Sequence, residues 1–287
     1  MSVLLHLSDT HFGTEQPQVL EAVVALAAQQ RPDAVVLSGD ITQRARPDQF
    51  RAAKAFVDRL GAPLLAIPGN HDIALFDLWA RLTRPYARFA SAFGPELEPV
   101  VALPDCLLVG VNTTRAWRHR HGEVSAEQVD RVARLLAAAR PEQLRVVVVH
   151  QPLAVPHAGE RVHLLRGHAH AARVLAQAGA DVVLGGHIHL PYTLSLPGLA
   201  RRLVVAQAGT AVSSRTRRGV PNSVNVLRWG SAVSAVDVLG APPTDRYQLH
   251  AQGASCLVER WDFSAQQQAF ACAAVTVVQP ERDIRAG

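Results

Sequence analysis

The 287-residue chain has three cysteines, no apolar run long enough to span a bilayer, and no block of like charge. Cys106, Cys256 and Cys272 are odd in number, widely spaced and set among apolar residues. That pattern favours buried reduced thiols over a disulfide framework or a thiolate metal site. Without a long apolar run, no membrane-spanning helix is expected. The opening Met1-Ser2-Val3-Leu4-Leu5-His6 reaches charged Asp9 too early for a secretory leader, so the expected location is cytoplasmic. Lys and Arg total 29 against 24 Asp and Glu, a net charge of +5, but the basic residues are nearly all arginine and are scattered. A small anionic substrate explains that excess as well as a nucleic acid does. The tail beyond Leu239 lacks a basic helix or interleaved aromatic and basic residues, which argues against a nucleic-acid partner.

What is present is a core-forming chain, 48% hydrophobic, and its N-terminal half repeats one unit. A short apolar run ends in a polar turn, and a helix-period segment follows. Val3 to Leu7 stops at Ser8-Asp9-Thr10-His11 and leads to a helix over Pro17 to Gln30, with proline in the first turn. Val35-Val36-Leu37 stops at Ser38-Gly39-Asp40 before a helix over Asp48 to Leu60, and Leu64 to Ile67 stops at Pro68-Gly69-Asn70-His71-Asp72. Ile73 to Phe93 has helical spacing, and its Trp79, Tyr86, Phe89 and Phe93 are expected to pack a core or wall a pocket. Leu107 to Val111 and Val146 to Val149 read as strands, with a helix between them that Ser125 and Gln128 open as a capping box. Leu164 to Ala178 is helical, and Val182-Val183-Leu184 runs into Gly185-Gly186-His187-Ile188-His189.

Beyond that point the pattern becomes strand-like, near Thr193 to Leu196, Leu203 to Ala206, Ser223 to Trp229, Val233 to Leu239, Cys256 to Phe263 and Phe270 to Val278. Mostly antiparallel pairing is expected there. Ala241-Pro242-Pro243 marks a boundary, giving a domain over residues 1–240 and a strand-rich extension over 241–287 that packs on it. The alternation in the first half predicts an α/β fold, with a parallel sheet covered by helices and ligands gathered at the carboxyl ends of the strands.

Five of those ends carry ligand-type residues: Asp9 with His11, Asp40, Asn70 with His71, His150, and His187 with His189. A lone strand-end histidine such as His150 is ordinarily a hydrogen-bonded core or surface residue. An ordered set of carboxylate, amide and imidazole donors without thiolates instead suits manganese, iron or zinc, and it exceeds what one tetrahedral ion needs. Two ions side by side serve phosphoryl chemistry. Gly167-His168-Ala169-His170 repeats the Gly-His-x-His form but falls within a helical period, where residues two apart diverge, so it is set aside. Asn112, His119, His121, His157, Arg215, Arg217 and Arg218 occupy loops that could line a pocket, but the ordinary reading of each is a solvated residue, and all seven are left out of the site.

In these blocks, Asp9-Thr10-His11, Gly39-Asp40, Gly69-Asn70-His71-Asp72, His150 and Gly186-His187-Ile188-His189, the chain resembles the calcineurin-like metallophosphoesterase superfamily. The blocks stand in order across about residues 1–230. Within that superfamily it is most similar to bacterial class III cyclic nucleotide phosphodiesterases, through overall length, spacing, and the stretch from Gln207-Ala208-Gly209-Thr210 to Asn222-Ser223-Val224-Asn225. The resemblance implies a four-layer αββα sandwich of two mixed sheets flanked by helices, with a dimetal site at the strand ends. It implies that Asp9, His11 and His189 hold one metal and Asn70, His150 and His187 the other, with Asp40 bridging. His71 would protonate the leaving oxygen and Asp72 would orient His71. The implied reaction is hydrolysis of a small nucleotide phosphodiester, 3′,5′-cyclic AMP or a related cyclic nucleotide, by a hydroxide bridging two iron or manganese ions, with zinc as an alternative. Relatives also point to nucleotide-sugar or lipid pyrophosphate hydrolysis, to a non-catalytic metal-binding scaffold, and to a homodimer.

Overall fold

The computed structural model describes residues 1–75, 77–118, 120–230 and 254–281. Its strands fall into two six-stranded sheets. The first contains β1 (Ser2–Leu7), β2 (Ala34–Leu37), β3 (Leu64–Ala66), β10 (Ser223–Gly230), β11 (Ser255–Ser264) and β12 (Ala269–Val278), in the order β12-β11-β10-β1-β2-β3. The second contains β4 (Val100–Ala102), β5 (Cys106–Gly110), β6 (Leu144–Val148), β7 (Val182–Gly185), β8 (Tyr192–Ser195) and β9 (Val204–Gln207), in the order β4-β5-β6-β7-β9-β8. β1, β2 and β3 run parallel, as do β5, β6, β7 and β9, while β10, β11 and β12 join antiparallel.

Both sheets are covered on both faces, which is why their central strands read as nearly unbroken apolar runs rather than alternating ones. Along β1, Val3, Leu5 and Leu7 face a core shared with α1 (Pro17–Gln30), α2 (Pro47–Asp58) and α4 (Ala87–Phe93), while Leu4 faces the other sheet. Along β6, Val146 and Val148 enter the core between the sheets, and Val147 packs beneath α5 (Ala126–Ala137) and α6 (His168–Gln177). Each such buried Val or Leu is worth about 1.5–3 kcal/mol relative to exposure. Three stacked cores therefore separate four layers, helices outside and sheets within, as the resemblance implies.

Local departures from the sequence expectations have physical causes. Ile73 to Phe93 is not one helix: α3 (Leu78–Thr83) ends at Arg84, which stands at φ −152° and ψ 61°. Pro85 explains this, because a residue before proline is pushed out of the helical region. Trp79, expected inside, is 64% exposed with the Arg84 guanidinium 4.8 Å above its ring, whereas Phe89 is buried and Phe93 packs against the helix-side core. α6 starts at His168 rather than Leu164, so the first Gly-His-x-His copy opens a helix instead of lying inside one. The capping box of Ser125 and Gln128 forms at the start of α5. Val233 to Leu239, the boundary at residue 240 and Ala241-Pro242-Pro243 lie outside the described residues, and β11 and β12 extend the first sheet from β10.

Candidate dimetal centre

The carboxyl ends of β1, β2 and β3 meet those of β6 and β7 at one end of the sandwich. Asp9 and His11 follow β1, Asp40 follows β2, and Asn70, His71 and Asp72 form a single 3₁₀ turn after β3. His150 follows β6, and His187 and His189 follow β7. Five of these residues have left-handed backbones: Asp9 at φ 51°, His11 at 41°, Asp40 at 49°, His187 at 75° and His189 at 56°. Among the described non-glycine residues only three others have positive φ, namely Arg31, Ala45 and Gln268. Such conformations are costly, and they persist where the surroundings over-determine them, most often at functional sites. Glycines beside them admit the close packing. A methyl group on Gly69 would overlap the amide and carboxylate of Asp40, and one on Gly186 would overlap Ser8 and the Asp9 carboxylate.

Three donor groups result, each with its atoms within 4.8 Å of one another: Asp9, His11 and His189; Asp40, His150 and His187; and His11, Asp40 and His71. His11 Nε2 lies 3.1 Å from His189 Nε2, 3.8 Å from Asp9 Oδ1 and 3.9 Å from Asp40 Oδ2. His189 Nε2 is 3.3 Å from Asp9 Oδ1, and His150 Nε2 is 3.2 Å from Asp40 Oδ1. Asp40 belongs to two of the groups, one with His11 and His71 and one with His150 and His187. The backbone orients the imidazoles: His150 Nδ1 is 2.8 Å from the Ser38 carbonyl, and His189 Nδ1 donates to the Arg215 carbonyl. Such bonds fix the tautomer and leave Nε2 for a metal.

These residues fit metal ions. Asp9 Oδ1, Asn70 Oδ1, His150 Nε2 and His187 Nδ1 are buried and make no well-formed hydrogen bond. Buried polar atoms are nearly always paired, so such orphans at the ends of these strands are what a cation site would leave. The electrostatics agree. Burial opposes charge on His150, yet the adjacent Asp40 carboxylate outweighs it and pushes the imidazole up to about 9. Burial would raise Asp40 too, but the charges of His150 and His71 hold it well below the usual carboxylate range. Asp9 is held low in the same way by His189. Burial lowers His11 and His187 to about 3, helped at His187 by the charge of His150, so both keep a lone pair for a cation.

The calcineurin-like phosphoesterase profile matches residues 2–191. The chain belongs to that family. It is 31% identical to a cAMP/cGMP dual specificity phosphodiesterase of Mycobacterium tuberculosis over 69% of this chain and 64% of the relative, so it aligns with less than two thirds of that protein. It is 26% identical to the 3′,5′-cyclic adenosine monophosphate phosphodiesterase of Escherichia coli K12, over 70% of this chain and 74% of that one. A dimetal phosphatase from Danio rerio shares the fold with a TM-score of 0.66 at 13% identity, covering 98% of this chain and 99% of that one. Among the described residues no helix is long and apolar enough to cross a membrane.

Within this phosphoesterase Asp72, expected to orient His71, makes its hydrogen bonds to the backbone and to Thr42. Its carboxylate accepts from the amides of Gly69 (2.8 Å), Ile41 (3.0 Å) and Thr42 (2.8 Å) and from Thr42 Oγ1 (2.8 Å), whereas His71 Nδ1 faces the Gln43 carbonyl at 3.0 Å. Asp72 thus ties the His71 turn to the loop after Asp40, and Gln43 orients the imidazole. Burial, then the charge of Asp40, push Asp72 up to about 6 against the pull of its backbone hydrogen bonds.

The loop candidates separate. Arg215 reaches the centre, with Nη1 2.9 Å from Gln43 Oε1, 3.4 Å from His11 Nδ1 and 3.5 Å from His71 Nε2. Arg217 forms a two-bond pair with Glu160, Asn112 Oδ1 accepts from Thr114 in its own loop, and His121, His157 and Arg218 are exposed. His119 lies outside the described residues. Gln43 and Thr42 carry no signal in the sequence, because an amide and a hydroxyl in a loop are read as solvated. A cleft of about 810 Å³ between α2, α3 and α4 contains none of the candidate ligands, so volume does not locate the chemistry.

Proposed function

We propose that the protein is a dimetal phosphodiesterase acting on 3′,5′-cyclic AMP or a related small cyclic nucleotide. The carrying observation is the set of three largely buried donor groups at the strand ends, two of which contain Asp40. Asp9, His11 and His189 would hold one ion and Asn70, His150 and His187 the other, with the Asp40 carboxylate offsetting the repulsion between them. When bound, the ions supply Lewis acidity, acidifying water and neutralising charge on the phosphoryl group. Iron or manganese, with zinc as the alternative, suit this mixed set of oxygen and nitrogen donors.

His71 carries the proton chemistry. With Nδ1 3.0 Å from the Gln43 carbonyl, the protonated ring would donate from Nε2 to the leaving oxygen. A ribose alkoxide is a poor leaving group and needs that proton. His71→Ala is therefore expected to lower kcat on cyclic AMP by about 10²–10⁴-fold and to affect an activated aryl diester far less, with metal content unchanged. The two named phosphodiesterase relatives support the cyclic nucleotide reading.

The test is a substrate panel of cyclic AMP, a nucleoside pyrophosphate and single-stranded DNA on manganese-loaded protein. Fastest turnover of cyclic AMP supports the proposal, and preference for the pyrophosphate replaces it with a pyrophosphatase. No turnover with two ions bound leaves a metal-binding scaffold. A cytoplasmic homodimer completes the reading, and fractionation with light scattering checks it.

A further inference from the structure

We propose that Arg215 is a substrate-contacting residue that grips a non-bridging oxygen of the phosphoryl group; this rests on the phosphodiesterase reading above. The loop between β9 and β10 carries three arginines, and their surroundings differ. Arg217 is committed to Glu160, Arg218 is exposed, and Arg215 turns inward between His11 and His71. Among the described residues, the partners of its guanidinium at the centre are an amide, Gln43 Oε1 at 2.9 Å, and two longer contacts to imidazole nitrogens, His11 Nδ1 and His71 Nε2, with no carboxylate among them.

That pairing is informative because of where it lies. An arginine beside a centre built to hold cations is repelled by them unless an anion stands between. A neutral amide is a weak partner for a guanidinium, and a phosphoryl oxygen is a strong one. Gln43 therefore holds the side chain in place until substrate takes over the bond. Arg215 Nη1 and His71 Nε2 are 3.5 Å apart, close enough for both to address one phosphoryl group. His71 serves the leaving oxygen, and Arg215 an oxygen that stays on phosphorus.

The loop is held rigidly, as a charge-stabilising donor requires. Arg215 N donates to Ser213 Oγ at 3.0 Å, and Thr210 Oγ1 donates to the Arg215 carbonyl at 3.0 Å. Asn222 Nδ2 ties down the carbonyls of Thr210 (3.2 Å) and Ser213 (2.8 Å). The Arg215 carbonyl also receives His189 Nδ1, so backbone and side chain have separate tasks. Truncating the side chain leaves the carbonyl, and with it the orientation of His189.

Arg215→Ala and Arg215→Lys, with Arg218→Ala as control, separate these tasks. The measurements are metal content, the affinity of metal-loaded protein for inorganic phosphate by calorimetry, and kcat and KM on cyclic AMP and bis(p-nitrophenyl) phosphate. Expected for Arg215→Ala are two retained ions, phosphate affinity reduced about tenfold or more, and kcat/KM reduced about 10²-fold on both diesters alike. Lysine should restore part of the loss, since it keeps the charge but not the planar fork. Unchanged phosphate affinity and turnover would overturn the assignment. So would metal loss in both Arg215 variants, which would make the residue a support for His189, or a defect confined to cyclic AMP, which would place its action on the leaving group through His71. If wild-type protein hydrolyses none of the esters while Arg215→Ala still weakens phosphate binding, the phosphodiesterase reading fails and the contact stands.

Discussion

Gly167-His168-Ala169-His170 and Gly186-His187-Ile188-His189 present the same side chains in two settings. The first opens α6, where His168 Nδ1 is 3.0 Å from the carbonyl of Leu165 and His170 is exposed. The second follows buried β7, and its two histidines take left-handed backbones that turn them towards different donor groups, His187 to Asp40 and His150, His189 to Asp9 and His11. A helix spaces residues two apart on different faces, whereas a strand end can bend each to its own partner. The chemistry of such a string lies in what precedes it and in how far the backbone departs from ordinary conformations.

This contrast can be broken by substitution, and the largest effect belongs to the second copy. His187→Ala or His189→Ala is expected to reduce bound metal below two ions per chain and to cut turnover by on the order of 10³-fold, read by metal analysis and kinetics. Gly186→Ala should come next, because its methyl group collides with Ser8 and Asp9. Overpacking of this kind costs about 1–3 kcal/mol, and thermal melting with and without metal would show both the loss and a weaker metal response.

A smaller and graded effect comes from protons. His150 titrates at about 9 in the metal-free protein, so an ion must displace a proton from it, and metal affinity should fall about tenfold per pH unit below that value. Metal-free stability moves the other way. The raised pKa means that the contribution of His150 is complete below about pH 6.5 and is lost as pH rises through about 9. Chelator competition and urea melts between pH 6 and 9 would resolve the two slopes. The smallest effect is expected in the first copy: His168→Ala and His170→Ala should change stability by about 0.5 kcal/mol or less and leave metal content untouched. Metal loss there would collapse the distinction between the copies.

Much of the fold was legible because strands buried on both faces announce themselves as apolar runs, and five of those runs stop at ligand-type residues. Pro17 and the Ser125 with Gln128 pair marked helix starts by local chemistry alone. What escaped was non-local. Nothing around Ser223 to Gly230 says that β10 lies antiparallel beside β1, nor does periodicity say that β1 and β6 belong to different sheets. The resemblance implies that Asp72 orients His71, but a buried carboxylate collects amides wherever the fold brings them, here from Ile41 and Thr42. Arg215 could not be distinguished from Arg217 and Arg218 until the loop was seen to turn. Trp79 looked like a core aromatic and became a surface one once Pro85 had divided its helix.

The left-handed backbones at Asp9, His11, Asp40, His187 and His189 set folding against chemistry in one further respect. At each of these five positions the residue that relieves the strain is glycine, which has no side chain to offer a metal. Relieving the strain would therefore erase the centre one donor at a time, and at Asp9, Asp40 and His189 it would also strand the partner of a buried ion pair. The side chains at these positions hold one another as well as the site, so strain relief alone does not decide their effect on stability.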